Sequence, residues 1–257
     1  MKRFESSVAW VTGGGGGIGR SAALRLASEG AAVGISTIDA GEAATVAAEC
    51  EAHGVRALGI PTDMADPAQV RDAHQRIAEQ LGPVDVLVNN VGVNQPATLF
   101  LDTSDEVFER ILTVNFMSAV RATRLVLPSM IERRTGSVVN VASAQGLMGW
   151  PMASAYASSK GAMMAWTRQV ANEIGEHGVR INSIVPGATM TAMNQAVMDD
   201  AEDPEGQRAS AIALHILPRM GEPDEVAAAI AFAASSDAAF MTGSTLVIDG
   251  GCLVKGH

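Results

Sequence analysis

An α/β architecture, a parallel sheet covered by helices on both faces, is what this 257-residue chain predicts. Three observations lead there. Apolar runs of strand length alternate with stretches of helical periodicity from end to end. The runs are apolar almost throughout, as in VDVLVN at 84–89, which suits strands buried on both faces. The strand–helix–strand unit repeats six times, which implies right-handed crossovers between parallel strands.

Taken in order, 7–12 (SVAWVT) is a short apolar run closed by glycines and reads as the first strand. Residues 18–29 carry apolar side chains at helical spacing and stop at Gly30. A second strand follows at 31–36, a helix at 41–53 closed by Gly54, and a third strand at 55–61. The helix at 67–81 has Pro67 in its first turn and Gly82 beyond its end. The fourth strand is 84–89, and 104–134 is a long helical region, read as two helices joined near Asn115. GSVVNVA at 136–142 is the fifth strand, 154–175 a helix, and 179–185 the sixth strand, ended by Pro186 and Gly187. A helix at 223–235 and a strand at 244–249 complete the series. The least regular stretch, 188–219, is long for a loop and is read as a substrate-binding lid. No linker, charge block or low-complexity tract divides the chain, so 1–257 reads as one domain.

Composition narrows the function. Hydrophobic residues make up 47%, which excludes disorder as the main state. A formal net charge of -10 opposes general nucleic-acid binding. Cys50 and Cys252 form no CxxC pair and read as reduced thiols. The histidines (His53, His74, His177, His215, His257) show no metal-ligand spacing and read as surface or loop residues, so no metal is expected. The chain shows no secretory pattern and no apolar run long enough for a membrane span, and a cytoplasmic location without a membrane partner is expected.

Two stretches carry chemistry. TGGGGGIGR at 12–20 follows the first strand and opens the first helix. Glycines let the backbone come close to a ligand, and the helix start offers free N–H groups and a positive dipole end to a pyrophosphate. The second stretch is AYASSKG at 155–161. Tyr156 is the only tyrosine, and Lys160 is one of three lysines, the others lying at the chain ends. Residues four apart share a helix face. A lysine ammonium there lowers the phenol pKa toward the range useful for proton transfer. Ser143 ends the fifth strand, where ligands of open parallel sheets sit, and its hydroxyl can stabilise charge on a substrate oxygen.

Thr12, Gly13, Gly17, Ile18 and Gly19, then NNVG at 89–92, Asn115, Ser143, Tyr156 with Lys160, and Pro186 with Gly187 together resemble the short-chain dehydrogenase/reductase family. The resemblance spans essentially the whole chain in the family's order. It implies a Rossmann-like three-layer sandwich, with a seven-stranded parallel sheet in the order 3-2-1-4-5-6-7 and helices on both faces. It also implies a homotetramer and an NAD(P)-dependent oxidoreductase that interconverts a secondary alcohol and a ketone by hydride transfer. Asn115, Ser143, Tyr156 and Lys160 are its catalytic set, with Asn115 holding a water that links the site to Lys160. The implied cofactor contacts are Gly13, Gly17, Ile18, Gly19, Asp39, Asp63, Met64, Asn90, Gly92, Tyr156, Lys160, Thr189 and Thr191.

Thr37 stands where NAD-preferring relatives carry Asp, and Asp39 is two residues on. Gly16 and Ile38 stand where NADP-binding relatives carry basic residues. NAD is therefore favoured over NADP. Leu147, Met148, Trp150, Met152, Met190 and Met193 point to a largely hydrophobic small-molecule substrate. The alternative is an NADPH-dependent 3-oxoacyl-carrier-protein reductase, with Arg133 and Arg134 as a fragment of a docking patch. A remoter one is a non-catalytic nucleotide-binding regulator, which would not need the Asn, Ser, Tyr and Lys set.

Overall fold

A computed structural model describes residues 2–255, so His257 lies outside the described residues. The strands are β1 (Val8–Thr12), β2 (Ala32–Thr37), β3 (Ala57–Pro61), β4 (Val86–Asn89), β5 (Gly136–Val141), β6 (Val179–Pro186) and β7 (Thr245–Ile248). They form one parallel sheet in the order β3-β2-β1-β4-β5-β6-β7. The order reverses between β1 and β4, which places a crevice at their carboxyl ends.

Strand periodicity divides the core into two layers. Ala9 and Val11 of β1 pack with α1 (Gly17–Ser28), α2 (Ala40–Glu51) and α9 (Pro223–Ala234) on one face. Val8 and Trp10, one residue out of step, pack on the other face with α3 (Pro67–Gln80), α5 (Ser118–Arg133) and α6 (Ser154–Ile174). The near-continuous apolar strands are thus covered on both sides.

Caps set the helix starts. Asp39 accepts from the N–H of Glu42 to begin α2, Asp66 accepts from Ala68 before Pro67 to begin α3, and Glu222 with Glu225 forms a capping box before α9. Helix α1 has no side-chain cap and no acid in its first turn.

The structure adds detail to two regions of the sequence reading. The long helical region is α4 (Asp105–Leu112) running into α5 through a π-helical turn, Thr113–Met117, with Asn115 inside it. The irregular stretch contains two short helices, α7 (Ala192–Asp199) and α8 (Pro204–Ala213). Among the described residues, no helix is long and apolar enough to cross a membrane.

Candidate active site

Ser143 lies two residues beyond β5. Its Oγ accepts from the N–H of Gln145 at 3.2 Å and starts the short turn Ala144–Gly146. That turn packs against α6 so closely that a Cβ on Gly146 would lie 2.9 Å from the Gly161 nitrogen. The contact fixes Ser143 relative to Tyr156, in the first turn of α6. Ala153 gives α6 no side-chain cap. Gln95 does so from across the site, its Oε1 accepting from the N–H of Ala155 at 2.7 Å and of Tyr156 at 3.0 Å.

Lys160, one turn on, is buried. Its Nζ donates to the carbonyl of Val141 at 2.9 Å and lies 5.7 Å from the Tyr156 ring centroid. Asn115 donates through Nδ2 to Val93 O at 3.0 Å and to Ser159 Oγ at 3.2 Å, while its Oδ1 accepts from Val93 N–H at 2.8 Å. Ser159 in turn donates to the Tyr156 carbonyl at 2.7 Å. The π turn therefore ties the loop after β4 to the helix that carries Tyr156 and Lys160.

Burial shapes the protonation of this group. It lowers the Lys160 pKa from 10.5 to about 8. It raises the Tyr156 phenol above its ordinary value, and the hydrogen bond with Ser143 pulls it partly back. The depression expected from the lysine is not what sets the phenol in the protein alone: desolvation dominates, and the Ser143 hydrogen bond is what opposes it.

The glycine loop lies beside this group. Gly13 and Gly17 have φ of +64 and +50, a region that favours glycine. Asn90 donates to Gly13 O at 2.9 Å, and a Cβ on Gly19 would lie 2.1 Å from the same oxygen. No described backbone carbonyl accepts from Gly17, Ile18 or Gly19, and nothing lies within 4 Å of where a Cβ of Gly16 would stand. This cradle, with its uncapped helix, fits a dinucleotide pyrophosphate. Thr191 caps α7 and abuts the loop, its Cγ2 standing 3.0 Å from where a Cβ of Gly17 would be. Thr189 is buried and donates to Gly187 O at 3.1 Å. A Cβ on Gly92 would lie 3.4 Å from Lys160 Nζ, so the β4 loop reaches both halves of the site.

Met64 is buried in the core beneath α3, and Asp63 accepts from the N–H of Ala65 within its own turn. Asp39 is occupied as the α2 cap. The acid that reaches the end of β2 is Glu42, whose Oε2 accepts from Thr37 Oγ1 at 3.2 Å. Glu42 lies outside the sequence reading, which places Gln95 in the pocket segment 93–96 but not as the cap of α6. The available signals were an acid in the first turn after β2 and a long polar side chain after the NNVG glycine. His215 is buried rather than exposed, its Nε2 accepting from the N–H of Ala188 at 3.1 Å. Arg133 pairs with Asp85 and donates to Val84 O, and Arg134 donates to Glu176 O. Both sit at the amino ends of the strands, opposite Ser143 and Tyr156. A cavity of about 650 Å³ also opens at that opposite end, lined by Asp85, Ser137 and Arg180.

The family model described as short chain dehydrogenase matches residues 7–202. The chain is 32% identical over 252 residues to a 3-oxoacyl-acyl-carrier-protein reductase of Thermotoga maritima, covering 98% of this chain and 100% of that one. It is 37% identical over 257 residues to L-rhamnose 1-dehydrogenase (NAD(P)(+)) of a Sphingomonas species, covering 99% of each. The crystal structure of levodione reductase superposes with a TM-score of 0.95 at 32% identity, covering 99% of this chain and 100% of that one.

Proposed function

Since this chain belongs to the short-chain dehydrogenase/reductase family, NAD(P)-dependent oxidoreductases acting on CH–OH groups, we propose that it interconverts a secondary alcohol and a ketone, with Tyr156 as acid/base, NAD as preferred nucleotide and an apolar small molecule as substrate. The observation that carries this reading is the convergence of Ser143, Tyr156 and Lys160 at the carboxyl end of β5, beside the uncapped glycine loop.

The loop from Gly13 to Gly19 holds the pyrophosphate, Asn90 and Lys160 serve the ribose, and Thr189 and Thr191 serve the nicotinamide end. When bound, the nicotinamide supplies or takes up the hydride. In reduction, Tyr156 gives its phenolic proton to the carbonyl oxygen. The Ser143 hydroxyl, already accepting from Gln145, donates to that oxygen and holds it against the phenol. The Lys160 ammonium favours the phenolate as it forms. Asn115 keeps the Val93 loop and Ser159 in place behind this pair and supports reprotonation. Oxidation runs these steps in reverse.

An apolar substrate suits the side chains that line the approach. Leu147, Met152 and Met193 are 50%, 47% and 44% exposed. Segment 188–219 acts as the lid. The half-exposed edge strand β7, with Phe232, Phe240 and Val247 exposed, suits burial in a homotetramer. Sedimentation of the purified protein tests that assembly.

The test of function is oxidation of NADH and of NADPH with a panel of hydrophobic ketones. Turnover with NADH supports the proposal. Preference for NADPH with activity on carrier-protein thioesters would favour the carrier-protein reductase, which the placement of Arg133 and Arg134 away from the site disfavours.

A further inference from the structure

The end of β2 carries Thr37 where an acid would read the adenosine ribose, and Asp39 has its Oδ1 engaged by the N–H of Glu42 at 2.8 Å. A carboxylate nevertheless arrives there from another element. Glu42, in the first turn of α2, turns back so that its Oε2 accepts from the Thr37 hydroxyl at 3.2 Å. A Cβ on Gly15 would lie 2.3 Å from that same oxygen and 2.6 Å from Thr37 Oγ1. The carboxylate thus lies directly against the glycine loop. Its other oxygen, Oε1, has no hydrogen-bond partner among the described residues.

We infer that Glu42, anchored by Thr37, reads the 2′ position of the adenosine ribose, accepting from the hydroxyl of NAD and repelling the phosphate of NADP. The inference rests on the dinucleotide reading of the glycine loop and names its specificity residue. An acid at this end of the second strand suits the 2′-hydroxyl. A phosphate monoester carries about -1.5 to -2 charges near neutrality. At the 2′ position it would face the carboxylates of Glu42 and Asp39, to which no cation is paired among the described residues. Gly16 and Ile38 offer none, and Arg20 on α1 is held by both carboxylate oxygens of Glu49, two turns farther along α2. Gly15 belongs to the same device, because only a residue without a side chain leaves the Glu42 carboxylate its place.

The experiment is equilibrium titration of the whole protein with NADH and NADPH by nucleotide fluorescence, and with ADP-ribose and its 2′-phosphate by calorimetry. Wild type is expected to bind NADH at least about tenfold more tightly than NADPH, the scale of one hydrogen bond to a charged group. Glu42→Gln is expected to reduce that ratio about tenfold. Gly15→Ala displaces the carboxylate while keeping its charge and is expected to reduce the ratio in the same direction. Effects on the pyrophosphate cancel in the ratio, since both nucleotides share it. A ratio unchanged within about twofold in Glu42→Gln, or in Gly15→Ala should the first variant not fold, overturns the Glu42 assignment and leaves the oxidoreductase reading standing. A wild type that prefers NADPH also overturns it. A wild type that binds none of the four ligands overturns the dinucleotide reading itself.

Discussion

Lys160 donates from Nζ to the carbonyl oxygen of Val141, the last residue of β5, at 2.9 Å, from a position where the lysine is only 3% exposed. One strand end thereby holds both the ammonium and, two residues later, Ser143. The same burial that fixes the ammonium lowers its pKa from 10.5 to about 8.

Lys160→Met keeps the stem and removes the charge. It is expected to lower kcat by ~10²-fold or more, the scale of a lost proton-transfer contribution. Between about pH 8 and 10.5 the unfolded chain holds a proton on Lys160 that the folded chain has released, so wild-type stability gains on the variant as pH rises. Paired thermal melts across that window read the difference. A difference that stays flat or shrinks contradicts a burial-lowered ammonium.

Tyr156→Phe removes the proton and little else. We expect a kcat loss of ~10³-fold with nucleotide Kd held within about twofold. In the oxidation direction the wild-type rate should rise with pH as the phenolate forms. Ser143→Ala should move that rise to higher pH, because the Ser143 hydrogen bond is what pulls the raised phenol pKa down. A rise that moves to lower pH, or near-normal turnover in Tyr156→Phe, would remove Tyr156 from its role.

Asn115→Leu leaves the N–H and C=O of half-buried Val93 without their side-chain partners. The expected loss of stability is about 2 kcal/mol, the low end of about 1–3 kcal/mol for each unpaired group, because the Val93 backbone is only half-buried. Urea unfolding measures it, and a loss below about 1 kcal/mol would mean the π turn does not depend on this pairing.

Gln95→Leu takes the acceptor from the first N–H groups of α6. A lost helix cap costs about 1 kcal/mol, so the melting temperature should fall by about 2–4 °C for a chain of this size. KM for the carbonyl substrate should rise as Tyr156 loses its fixed orientation. Gln95→Glu retains the acceptor and adds a charge the helix start favours, so it should rescue both. Failure of that rescue would assign Gln95 a role other than capping.

Cys50 is fully buried, and burial pushes its thiol up to about 12. A thiol reagent at pH 8 should leave Cys50 unlabelled in the folded protein and label it in denaturant, as peptide mass spectrometry would show. Rapid native labelling would contradict its packing between α2 and the sheet.

The sheet is legible in the sequence because each buried strand has to be apolar on both faces. Residues such as Val8, Ala9, Trp10 and Val11 carry that signal within a few positions. Helix ends shift by a residue or two where a cap decides, as at Asp39. What escapes the sequence is contact across it. Asn115 is conspicuous as a polar residue in a helical stretch, but its partner, the Val93 backbone, lies 22 residues away. Gln95 caps a helix that starts some sixty residues later. Asp39 is the acid nearest the strand end in sequence. Yet it is Glu42 that reaches that end, because Gly15 leaves the space for it.

Helix α1, which begins without a cap and with its first N–H groups unclaimed, carries a consequence for survival. A ligand that answers those donors binds only the folded chain, so each tenfold rise in its free concentration above Kd adds about 1.4 kcal/mol against unfolding. Proteases act on the opened chain, and the bare protein opens more often than the loaded one. If the dinucleotide is that ligand, the half-life of the molecule in a cell is expected to follow the dinucleotide supply, and depletion of that supply should appear first as faster degradation.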